Sequence, residues 1–88
     1  MKYQLVADIY CGLQNDSKSV IVKESSSLDE IESAFYNAFV EYSQAHGIGE
    51  FSACHLIVVP YSDEGKDIWP ELSEEEQSRL SIFDKSIE

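Results

Sequence analysis

Between Leu28 and Ala45 the apolar residues recur at spacings of three and four: Leu28, Ile31, Phe35, Ala38, Phe39, Tyr42 and Ala45. At about 100° per residue they fall within roughly 120° of one face. A strand cannot carry this pattern, because its side chains alternate with period two. The segment 28–46 is therefore read as an amphipathic helix whose stripe needs a second apolar surface to cover it. Ser27 and Glu30 predict a capping box at its start. Asp29, Glu30 and Glu32 complement the positive end of the helix dipole. Glu30, Ser33, Asn37, Glu41 and Gln44 face outward, and Gly47 is the predicted C′ residue.

The covering surface is legible in the flanking segments. Over residues 1–11, Tyr3, Leu5, Ala7, Ile9 and Cys11 share one face, and Lys2, Gln4, Val6, Asp8 and Tyr10 the other. That alternation predicts a strand with one wet face. Turn chemistry follows over 12–17 and a second strand over 18–24, which makes an antiparallel hairpin. Phe51 to Tyr61 is the third strand. It is apolar on both faces in its second half, which predicts a central position, and Pro60 is expected to end it. An exposed acidic loop spans 62–67. Ser73 and Glu76 predict a second capping box, and Leu80, Phe83 and Ile87 a short stripe on a second helix. The 88 residues are thus one domain, 1–88. The expected fold is α+β and two-layered, in the order β-β-α-β-α. A three-stranded, mainly antiparallel sheet packs on one long helix, with a short C-terminal helix added.

Charge then limits the partners. Seventeen acids against six Lys and Arg give −11. Direct nucleic-acid binding needs basic contacts to phosphates, and an anionic membrane surface repels such a chain. The N-terminus lacks the apolar core of a signal peptide, and no apolar run approaches a membrane span, so the chain reads as cytoplasmic. The hairpin region 1–23 is nearly neutral, whereas 24–50 and 51–88 are each strongly negative. Eleven charges match about 19 Å of duplex, at one charge per roughly 1.7 Å of axis. Either the acids solvate the surface, or they engage a basic groove.

Length, acidity and layout across the whole chain resemble the small phage-encoded inhibitors of the anti-CRISPR and anti-restriction type. No motif is shared, so no residue roles carry over. The resemblance implies a non-enzymatic inhibitor, working in the host cytoplasm, that occupies the nucleic-acid-binding groove of a nuclease complex, as a DNA mimic does. The acids expected to face that partner are Asp29, Glu30, Glu32, Glu41, Asp63, Glu64, Asp67, Glu71, Glu74, Glu75 and Glu76. Bacteriocin immunity proteins share the profile. The alternative is therefore an immunity protein or accessory subunit that binds through an apolar patch around Trp69.

No catalytic constellation, cofactor motif or metal site stands out. Cys11, His46, Cys54 and His55 lack the paired spacing of zinc ligands, and Cys54 and His55 point to opposite faces of one strand. Asp63, Glu64 and Asp67 around Gly65 lack the calcium-loop pattern. Four scattered glycines make no phosphate loop. Trp69, the only tryptophan, either seals the core edge or anchors an interface. Tyr10, Tyr36 and Tyr61 are further candidates for such contacts.

Overall fold

The computed structural model describes residues 1–88. Strands β1 (Lys2–Cys11) and β2 (Asp16–Ser25) form the hairpin, followed by helix α1 (Leu28–Gly47) and strand β3 (Ala53–Tyr61). A 3₁₀ turn (Trp69–Glu71), helix α2 (Glu74–Ser81) and strand β4 (Asp84–Ile87) complete the chain. All pairings are antiparallel, in the order β2-β1-β3-β4. The sheet is therefore four-stranded, not three-stranded. The last residues form a strand, so Leu80, Phe83 and Ile87 do not make one helical stripe. Phe83 and Ile87 are buried instead, Ile87 opposite Cys54 on β3.

One sheet face makes the core. Leu5, Ala7 and Ile9 of β1 and Cys54, Leu56 and Val58 of β3 meet Ile31, Phe35 and Ala38 of α1, with Leu80, Phe83 and Ile87 closing the side. Phe35 packs edge-on against Phe83, ring centroids 5.3 Å apart. Phe39, on the margin of the stripe, is only half-buried. No helix lies over the opposite sheet face, where Val6 sits between Ile21 and Ile57 in one cross-strand row. The outer edge of β2 carries Lys18, Lys23 and a bulge at Val22, all features that discourage edge-to-edge pairing.

Local chemistry explains the boundaries. The backbone N–H of Gly12 donates to Ser52 Oγ at 2.8 Å, an approach so close that a Cβ on Gly12 would sit 2.9 Å from that oxygen. The predicted start of the third strand at Phe51 is corrected to Ala53. Phe51 turns instead onto Tyr42 and His46. Pro60 does not end β3 either. It pairs with Tyr3, and its carbonyl accepts from the Ile68 N–H on the side where β4 has already stopped. No ladder partner on that side calls for the missing N–H. At the end of α1 the left-handed residue is Gly49 (φ 81°), not Gly47, which is still helical.

The two helix starts differ. At α2 the capping box is complete: Ser73 Oγ accepts from the Glu76 N–H, and the Glu76 carboxylate accepts from the Ser73 N–H. At α1 the box is not closed. Ser27 Oγ accepts from the Glu30 N–H, but the Glu30 carboxylate accepts from Ser25 Oγ instead. Ser73→Ala is expected to cost about 1 kcal/mol and lower the melting temperature by roughly 4–8 °C. Thermal unfolding followed by circular dichroism reads this directly, and an unchanged midpoint would show that the cap carries no stability.

Candidate functional site

The topology gathers most of the acids at one end of a molecule measuring 39 × 23 × 20 Å. β1 begins there, β2 and β3 end there, and both helices start there. Lys2 pairs with Tyr61 and Tyr3 with Ser25, and Met1, Tyr3, Leu28, Leu72 and Glu76 line one small crevice. Asp29, Glu30, Asp63, Glu64, Asp67, Glu71, Glu74, Glu75 and Glu76 lie at this pole, all of them exposed. Glu24 at the end of β2 joins them and was not singled out from the sequence. Lys2, Lys23, Lys66 and Arg79 share the pole but are outnumbered. Glu32 flanks it, one turn into α1. Glu41 does not belong to it, since thirteen residues of helix place it about 20 Å further along.

These acids are not equivalent. Asp63 pairs with the N-terminal ammonium at 3.2 Å, and Lys2 pairs with Glu24 at 3.6 Å. Glu30 accepts from Ser25 Oγ, and Glu76 closes the α2 capping box. Asp67 accepts the Trp69 backbone N–H at 2.9 Å, which shapes the turn. Asp29, Glu64, Glu71, Glu74 and Glu75 have no ion pair with Lys or Arg, so their fields reach solvent. Asp29, Glu74 and Glu75 also open helices, where the dipole offsets part of their mutual repulsion.

A second feature lies beside the pole. Because β4 reaches only as far as Ile57, the rest of the β3 edge is left to residues 67–69: Tyr61 bridges to Asp67, and Ile68 bonds to Pro60. The space left over is a cleft of about 290 Å³, with apolar walls from Pro60, Trp69, Leu80 and Phe83, and with Asp67 and Asp84 also lining it. Trp69 is half-buried and packs against the core while lining this cleft. The cleft has no signal in the sequence, because it exists only through the mismatch in length between two strands. Tyr10 and Tyr36 are exposed, whereas Tyr61 is half-buried.

No group of three or more His, Cys, Asp or Glu residues is placed to hold a metal ion. His55, on the open sheet face, pairs with Asp84. Cys11 and Cys54 are free thiols on the core-facing side of the sheet, Cys11 half-buried and Cys54 buried. Burial, and then the Asp8 carboxylate, push the Cys54 thiol above its ordinary value of 9.0. Burial, then Cys54 and Glu41, raise the Tyr42 phenol likewise. With both folded values raised, the stability tied to these groups is complete at neutral pH. It is lost as pH climbs past about 9, where the unfolded thiol ionises first. At neutral pH a thiol reagent is therefore expected to label Cys11 in the folded protein and Cys54 only after denaturation, read by mass spectrometry. Chelator and reductant are expected to leave the melting temperature unchanged. A fall of many degrees with chelator would restore the Cys and His residues as ligands.

No helix is long and apolar enough to cross a membrane. Compared with known proteins, the chain matches no family model, and no similar curated protein or solved structure was found.

Proposed function

We propose that the protein is a non-enzymatic inhibitor whose acidic pole occupies the basic, nucleic-acid-binding groove of a partner, such as a nuclease complex. The observation that carries this reading is the convergence at one end of Asp29, Glu64, Glu71, Glu74 and Glu75, all without basic partners, from three separate stretches of chain. Charges spread for solubility alone have no reason to converge. The hairpin-turn end of the sheet also carries acids, Asp16, Glu41, Glu50 and Glu88 against Lys18 and Lys85, but fewer than the pole. Presented to a groove lined by Lys and Arg, the pole releases condensed counterions and steers its own approach.

The cleft beside Trp69 favours a second reading, an immunity protein or accessory subunit that docks through apolar contacts. Salt separates the two. A pole bound in a groove loses affinity steeply as salt rises, whereas an apolar interface barely responds. The test is capture of partners from a bacterial lysate at low and high salt, followed by competition against a labelled duplex bound to the captured partner. Displacement of the duplex supports the inhibitor. Simultaneous binding of duplex and protein would transfer the case to the apolar reading.

A further inference from the structure

We infer that the cleft beside Trp69 is a socket for an arginine side chain of the partner. The inference rests on the reading of the acidic pole and names the chemistry that the partner presents next to it. The partly exposed apolar side chains of Ile57 and Val59 suit an aliphatic stem, above a floor of buried Pro60, Leu80 and Phe83. Trp69 supplies an aromatic face, on which a guanidinium stacks more readily than an ammonium. The backbone that carries this ring is held on both sides. Asp67 accepts the Trp69 backbone N–H at 2.9 Å, and Gln77 Nε2 donates to the Trp69 carbonyl at 2.8 Å.

Two carboxylates decide the sign of the occupant. Asp67 and Asp84 line the cleft, and neither forms an ion pair with a Lys or Arg of this chain. Asp84 is engaged only through Oδ1, by His55. Both carboxylates belong to exposed residues lining the cleft, so a neutral apolar side chain entering it would gain nothing from their charge. A guanidinium forms charge-assisted hydrogen bonds with them while its stem fills the apolar part.

The socket is tested without partner or nucleic acid, so its failure is separable from failure of the competition assay. N-acetyl-argininamide is titrated into the protein while the Trp69 indole N–H and the Leu80 and Phe83 amides are followed by NMR. Saturable shifts at these three sites are expected. They are expected to need about tenfold more probe in a variant carrying Asp67→Asn and Asp84→Asn. Asparagine keeps an oxygen for the Trp69 N–H, and an unchanged melting temperature verifies the fold. Resonances unmoved by the arginine probe, or moved equally by N-acetyl-leucinamide, would overturn the socket.

Discussion

Phe35→Ala is expected to lower the melting temperature by about 15–30 °C, or to leave the domain unfolded at 37 °C. Phe35 is 1% exposed and stands where helix, sheet and C-terminal segment meet. Its ring lies against Phe83, and Ile31 and Ala38 flank it along the same helix face. Truncation removes the apolar contacts and leaves a cavity between layers that cannot close independently, at a cost of about 3–5 kcal/mol. A domain of this size has roughly 5–15 kcal/mol in total, and each kcal/mol moves the midpoint by about 4–8 °C. Phe39→Ala should cost less, because that side chain is only half-buried. Unchanged melting of Phe35→Ala would contradict the packing of α1 on the sheet.

The second large effect is on association. Reversing Glu74→Lys and Glu75→Lys moves the net charge from −11 to −7, since each reversal shifts it by two. Neither side chain accepts a hydrogen bond or joins an ion pair within the chain. The loss of stability is therefore limited to the helix-dipole contribution, about 0.6–2 kcal/mol for each sign reversal. Glu76 is left in place because it closes the capping box. Against a basic groove the two lysines turn attraction into repulsion. The association rate should fall about tenfold or more at low salt, with a smaller change in dissociation. Stopped-flow or surface-based kinetics separate the two rates. A variant that binds as fast as the wild type would remove these acids from the interface.

Legibility followed the range of the interactions. The stripe from Leu28 to Ala45 could be read because a long helix repeats its pattern over several turns, and the hairpin because alternation and turn residues are local signals. Strand β4 could not be read. Of its four residues only Ile87 is buried, and the spacing of Leu80, Phe83 and Ile87 fits a helix as well as a turn into a strand. The free edge of β3 decides between them, and that edge is distant in sequence. Pro60 misled for the same reason, because its tolerance depends on where a neighbouring strand stops. Segment charges located the acids in α1 and the C-terminal third. Only the strand order brings the start of α1 together with residues 62–73, whereas the length of α1 separates Glu41 from both.

The central claim is that this pole takes the place of nucleic acid, and one competition experiment addresses it most directly. A partner captured from lysate is loaded with a labelled duplex, and the protein is titrated in at two salt concentrations. Wild-type protein is predicted to displace the duplex completely at low salt, and its own affinity for the unloaded partner to fall steeply at high salt. The Glu74→Lys, Glu75→Lys variant is predicted to leave the duplex bound. Wild-type protein that binds the loaded partner with the same affinity at both salt concentrations, without releasing the duplex, would contradict the account.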